Sequence, residues 1–180
     1  MKKIELPQKI ERISIIGYSG SGKSTLARKL GDALGLEVLH LDKVQWLKGW
    51  QERESSEKNE IVKDFLDANS KWVIDGTYHK LQGERRMDEA DIIIFMNFGR
   101  LTCLFRAMKR NKQYKGKTRP CMTEGCEEKI DKEFFWWLVW SGRNKERRAK
   151  YTNLIRGHEG KTIVIKNQRQ LNKFEKLMGL

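Results

Sequence analysis

One stretch near the start of the chain, Gly17-Tyr18-Ser19-Gly20-Ser21-Gly22-Lys23-Ser24-Thr25, restricts what can be built around it more than any other. It satisfies the Walker A pattern G-x-x-x-x-G-K-S/T at every fixed position. Its glycines let backbone N–H groups turn inward and cradle phosphate oxygens. Lys23 is placed to reach β- and γ-phosphates, and the Ser24 hydroxyl to hold Mg²⁺. Gly17, Ser19, Gly20, Ser21, Gly22, Lys23, Ser24 and Thr25 are therefore the expected nucleotide-binding positions. The flanks agree. Residues 12–16, Arg-Ile-Ser-Ile-Ile, read as a short buried strand, and a helix over 23–34 would point the positive end of its dipole at the anion.

The same alternation continues along the chain. Apolar strands are expected at 36–41, 71–74, 91–96 and 162–165, with the fourth strand in chain order, Asp91-Ile92-Ile93-Ile94-Phe95-Met96, apolar enough to be covered on both faces. Helical spacing joins Ile61, Phe65 and Leu66, a helix is expected around 100–110, and another closes the chain at 168–178. Residues 130–150, with Phe134, Phe135, Trp136, Trp137, Leu138, Val139 and Trp140, read as one long helix facing the core, with one or two rings spilling onto a surface. Residues 111–129 hold Gly116, Pro120 and Gly125 without periodicity and read as a mobile loop or small lid. Strands alternating with helices mean an α/β fold with a five-stranded parallel sheet, and ligands then bind at the carboxyl ends of the strands. Neither an internal repeat nor a linker long enough to divide domains is visible, so 1–180 reads as one domain.

Composition narrows the partners. The chain has 180 residues and a formal charge of +13, from 37 Lys and Arg against 24 Asp and Glu, which favours nucleotides, phosphorylated compounds or nucleic acid. No apolar run reaches membrane-span length, the opening Met1-Lys2-Lys3-Ile4-Glu5 lacks a signal peptide's apolar stretch, and three cysteines make no disulfide framework. A cytoplasmic monomer without membrane contact is expected.

Four pieces of the chain together resemble the bacterial topology modulation protein family, relatives of the adenylate kinase and shikimate kinase group. They are the loop at 17–25; Leu39-His40-Leu41-Asp42 with Trp46 and Gly49-Trp50; Trp72-Val73-Ile74-Asp75-Gly76-Thr77-Tyr78; and Arg119-Pro120-Cys121-Met122-Thr123-Glu124-Gly125-Cys126. The resemblance implies a P-loop kinase using ATP and Mg²⁺, with a lid at about 111–130 and an acceptor-side segment at about 43–70. It leaves the acceptor open between a small molecule and a nucleotide.

Candidate residues follow from position. Asp42, expected at the end of the second strand, would position or deprotonate an acceptor hydroxyl, or else cap a turn. Asp75, at the end of the third strand, would accept from Mg²⁺-bound water near Ser24, or else only shape an Asp-Gly turn. Arg106 and Arg110 share a helix face and resemble the arginine pair that precedes the lid in adenylate kinases. They and Arg143, with Lys23 and Asp42, are the expected catalytic set, since phosphoryl transfer is mainly electrostatic stabilisation. Trp46, Trp50 and Tyr78 would stack on an acceptor ring or pack the acceptor side on the core. His40 reads as structural, and Cys121-x4-Cys126 has no zinc spacing. The window 100–120 carries eight basic residues and no acidic one, which keeps open a nucleic-acid-binding regulator with weak, nonspecific contacts to nucleic acid and ATP as a switch.

Overall fold

The computed structural model describes residues 6–180; Met1–Glu5, and with them the reading of the N-terminus, lie outside the described residues. Five parallel strands, β1 (Arg12–Gly17), β2 (Glu37–His40), β5 (Trp72–Asp75), β6 (Ile92–Met96) and β7 (Thr162–Ile165), form one sheet in the order β2-β5-β1-β6-β7. The expected architecture is thus observed. Each parallel step requires a crossover, and helices supply it: α1 (Lys23–Leu34), α3 (Ser55–Ala68), α4 (Gly83–Glu89) and α5 (Arg100–Gln113), with α8 (Gln168–Leu177) closing the chain. Ile13, Ile15, Val73, Ile74, Ile93 and Ile94 are fully enclosed, as sheet residues covered on both faces must be. α1 lies close on β2 because Gly31 has no side chain; a Cβ there would sit 2.2 Å from Val38 Cγ2.

Three details differ from the sequence expectation. The second strand ends at His40, and Leu41 and Asp42 open a short helix, α2 (Leu41–Gln45), so Asp42 sits in a helical first turn. After it comes a small antiparallel hairpin, β3 (Trp46–Leu47) and β4 (Gln51–Glu52). The long helix expected over 130–150 is two helices, α6 (Lys132–Val139) and α7 (Lys145–Gly157), broken at Trp140 (φ −128°, ψ −74°). Local chemistry explains the break. Asn144 accepts from the Arg147 N–H and caps a new helix, and Gly142 tucks under α6 where a Cβ would lie 2.6 Å from the Trp137 carbonyl oxygen.

The break also overturns the core-facing reading of 134–140. Only Leu138 is buried, while Trp136 and Trp140 are 60% and 66% exposed. α6 packs against α5, with Arg100 over the Trp140 ring, and α5 leaves its own Leu101, Phe105 and Met108 exposed. Among the described residues no helix is long and apolar enough to cross a membrane.

Arg86 holds the connection after β5. Buried in α4, it donates to the carbonyls of Leu81 and Tyr78, both at 2.8 Å, and burial pushes its pKa down to about 10. Arg86→Ala leaves both carbonyls without this partner and opens a cavity. A loss of roughly 2–4 kcal/mol is expected, read as a lowered urea midpoint with an unchanged m-value.

Candidate functional site

Three strand ends meet at one point because β1 lies at the centre of the sheet with β5 beside it. The loop after β1 is built on close approach. Gly17 (φ 143°) lies where a Cβ would come 2.5 Å from the Met96 carbonyl oxygen, and Gly20 (φ 75°) where one would come 2.4 Å from that of Cys103. Gly22 precedes α1 with no side-chain cap, so the first-turn N–H groups of α1 face the cleft uncapped. Thr77 ties the loop to its neighbours: its Oγ1 lies 3.2 Å from the N–H and the carbonyl of Gly17 and accepts from the Tyr151 hydroxyl at 3.2 Å.

Lys23 donates to the Tyr18 carbonyl at 3.1 Å and pairs with no carboxylate among the described residues. Burial lowers its pKa, and the nearby charges of Asp42 and Asp75 oppose that shift. The Ser24 hydroxyl donates to Asp75 Oδ2 at 2.7 Å, and the other Asp75 oxygen meets His40 Nδ1. A hydroxyl beside a carboxylate at the foot of a phosphate loop is the hard-oxygen donor set that suits Mg²⁺, so the residues present fit ATP with its metal. Among the described residues no group of three or more His, Cys, Asp or Glu side chains is placed to hold a metal ion by itself; the Cys126 thiol is buried and donates to the Leu47 carbonyl at 3.0 Å.

A cleft of about 1160 Å³ runs from this loop to the hairpin. Asp42 stands in it, accepting from the Tyr78 hydroxyl at 2.9 Å and from Arg119 at 3.0 Å. Burial, and then Asp42 itself, push the Tyr78 hydroxyl's pKa far up, so it remains a donor. Burial lowers the Arg110 pKa, with Arg119 adding to the effect. For Arg119, burial is outweighed by Asp42 and further acidic neighbours, and its pKa rises. Both guanidiniums converge on Glu128: Arg110 Nε donates to Oε1 at 2.6 Å, and Arg119 Nε lies 3.4 Å from Oε2.

The segment read as a lid is folded onto the hairpin. Thr123 donates to the Trp46 carbonyl at 2.6 Å, Gly49 N–H to the Gly125 carbonyl at 3.2 Å, and the Trp50 indole to the Glu127 carbonyl at 3.1 Å. Trp50 adopts φ 64°, a left-handed conformation costly for a large side chain, and packs edge-to-face on Trp46 with ring centroids 5.8 Å apart.

The expected arginines separate. Arg106 and Arg110 both line the cleft from α5, but Arg106 reaches the loop, donating to the Ser21 carbonyl and to Gln168, whereas Arg110 reaches the lid. Arg143 does not line the cleft. It is buried behind the loop, with its guanidinium 3.7 Å from the centre of the Tyr18 ring and donating to Cys103 Sγ at 3.0 Å. Its place is under the phosphate loop rather than at a reacting atom. Sequence reasoning missed Glu128, which sits in a polar stretch with no pattern to mark it, and the hydroxyl role of Tyr78. It also left Arg119 out of the catalytic set, although Arg119 opens one of the four motif stretches.

No protein-family model matches the chain, and no curated protein matches it in sequence. Solved structures do match in shape. A deoxyadenosine kinase from M. mycoides with bound dATP has a TM-score of 0.51 at 14% identity, over 94% of this chain and 100% of that one. A shikimate kinase from Bacteroides thetaiotaomicron has a TM-score of 0.51 at 14% identity, over 96% and 100%. A sugar kinase from Janibacter sp. HTCC2649 has a TM-score of 0.51 at 12% identity, over 93% and 94%. At these identities the likeness is one of fold: the chain has the five-stranded parallel architecture of P-loop kinases, matched across nearly its whole length.

Proposed function

We propose that the chain is an ATP-dependent phosphotransferase of the topology modulation type, moving the γ-phosphoryl of ATP to an acceptor that enters on the Asp42 side. The segment 43–70 would receive the acceptor and 111–130 close over it, within one catalytic unit. The reading is carried by one arrangement: Lys23, with no carboxylate partner, the Ser24–Asp75 pair and the Asp42 carboxylate all belong to the end of the sheet where one cleft opens.

Each part has work to do. The uncapped N–H groups of α1 and the Lys23 ammonium bind the phosphates, and Arg106, held at the Ser21 carbonyl, adds positive charge at the edge of the loop. Ser24, with Asp75 behind it, would hold Mg²⁺, which would supply positive charge against that of the phosphates. Arg143 on the Tyr18 ring supports the loop from behind, a contact worth about 1–2 kcal/mol when desolvated. The lid excludes water, which would otherwise take the phosphoryl group. Asp42 is oriented by Tyr78 and Arg119 and keeps lone pairs free to accept an acceptor's proton.

Lys23→Ala should lower phosphotransfer at least about a hundredfold and weaken ATP binding, with the circular dichroism spectrum unchanged. Turnover retained in the folded variant would remove this reading. Asp42→Asn keeps the shape but removes the base, so kcat should fall by about 10² to 10⁴ with ATP affinity nearly unchanged, measured by steady-state kinetics and calorimetry. Wild-type kinetics in that variant would leave Asp42 a turn residue.

The basic window 100–120 bears on the nucleic-acid alternative. Arg106, Arg110 and Arg119 are partly buried in the cleft, which leaves Lys109, Lys112, Lys115 and Lys117 as the window's exposed cations, enough for a handful of phosphate contacts. Fluorescence anisotropy with duplex DNA should therefore give weak, sequence-independent binding that fades as salt rises to physiological strength. Tight, sequence-selective binding at that salt would favour the regulator.

A further inference from the structure

The cations of the cleft fall into two groups that differ in what already neutralises them. At the donor end, Lys23 bonds only a carbonyl, and Arg106 bonds a carbonyl and the Gln168 amide. Among the described residues neither meets a carboxylate, so their charge is available to a triphosphate. At the acceptor end, Arg110 is paired with Glu128, and Arg119 with both Asp42 and Glu128. Two guanidiniums thus face two carboxylates. Glu128 is 6% exposed, and a buried carboxylate is costly to strip of its partners, so it stays with its arginines. Arg28, Lys109 and Arg147, the other lining cations without a carboxylate partner among the described residues, are exposed to solvent.

A phosphomonoester brought to Arg110 and Arg119 would arrive with up to two negative charges beside two carboxylates already there. Like charges at such range cannot all be held. A neutral hydroxyl meets no such barrier: it needs an acceptor of its proton, which Asp42 supplies, and a wall for its ring, which Trp46, Trp50 and Tyr78 supply.

Resting on the kinase reading above, we propose that the acceptor is an uncharged, hydroxyl-bearing ring compound, a nucleoside or a neutral sugar, and that Glu128 is the residue that excludes phosphorylated acceptors. The acceptor oxygen bonds to the γ-phosphorus as the bond from that phosphorus to the β,γ-bridging oxygen breaks. The bridging oxygen leaves with the electron pair as ADP, and the hydroxyl proton passes to Asp42. Glu128 touches none of these atoms; it is a positioning residue that sets the charge of the acceptor end.

The test has two arms. In the first, wild-type protein with γ-labelled ATP is offered nucleosides, neutral hexoses, nucleoside monophosphates and hexose phosphates. Transfer to a nucleoside or a hexose, with kcat/KM at least about tenfold above any phosphorylated counterpart, is expected, and which of the two reacts identifies the ring. Transfer to a monophosphate as efficiently as to the neutral compounds overturns the acceptor class and leaves the kinase reading standing. Failure with every class, in protein that binds ATP, removes both. In the second arm, AMP is titrated calorimetrically into protein saturated with a non-hydrolysable ATP analogue. Glu128→Gln should bind AMP about tenfold or more tighter than wild type, because it frees one guanidinium charge. A purely structural role for Glu128 produces no gain, and equal AMP affinity in the folded variant overturns the exclusion role. If Glu128→Gln does not fold, the first arm decides alone.

Discussion

The Asp75 carboxylate bonds two side chains that the sheet brings beside it from different elements. One oxygen receives the Ser24 hydroxyl from the start of α1, and the other meets His40 at the end of β2. Two crossovers of a parallel sheet, from β1 to β2 and from β2 to β5, must be completed correctly before those groups can converge, since β5 has to insert between β2 and β1. The pair therefore depends on the topology, and the geometry of the phosphate loop in turn depends on the pair and on Thr77 just beyond it. His40, which looks like a strand-end residue of no consequence, is the far support of this arrangement.

From that centre outward the cleft is organised by how charge is compensated. Carbonyls and an amide occupy the cations nearest the phosphate loop, and carboxylates occupy those nearest the hairpin. The first kind of contact is weak enough for a polyphosphate to replace; the second is an ion pair with a partner sealed in the lid. Burial lowers the Arg110 pKa while acidic neighbours raise that of Arg119, so two like side chains on one carboxylate are held by different balances of desolvation and attraction.

The parts legible from the sequence are those with short-range signatures. The phosphate loop is contiguous, the strands are apolar runs, and Asp75 follows one directly, so these stand where the residues place them. Asp42 was legible as a residue but not as an element: a strand end and a helical first turn differ there by one residue, too little for an apolar pattern to resolve. The division of 130–150 into two helices was hidden by seven consecutive apolar residues, whose continuity hides the Ser141-Gly142 turn and the Asn144 cap that follow. The inward turn of Arg143 depends on that break, which is why helical register alone misplaced it. Glu128 lay beyond reach, because its meaning comes from how an aperiodic loop folds back on its own Arg119 and on Arg110 near the end of α5.

The indole rings are distributed in a way that has an optical consequence. Trp72 is sealed in the sheet, and Trp136 and Trp140 stand in water. Trp46 and Trp50 lie edge-to-face at the mouth of the cleft, with the Trp50 N–H on a lid carbonyl. With segment 111–130 lifted, that bond would be lost and the pair would gain solvent on the face the segment covers; Trp137 lines the cleft as well, whereas Trp72, Trp136 and Trp140 do not. The indoles that line the cleft thus form an intrinsic reporter of whether it is closed, read against the three that do not.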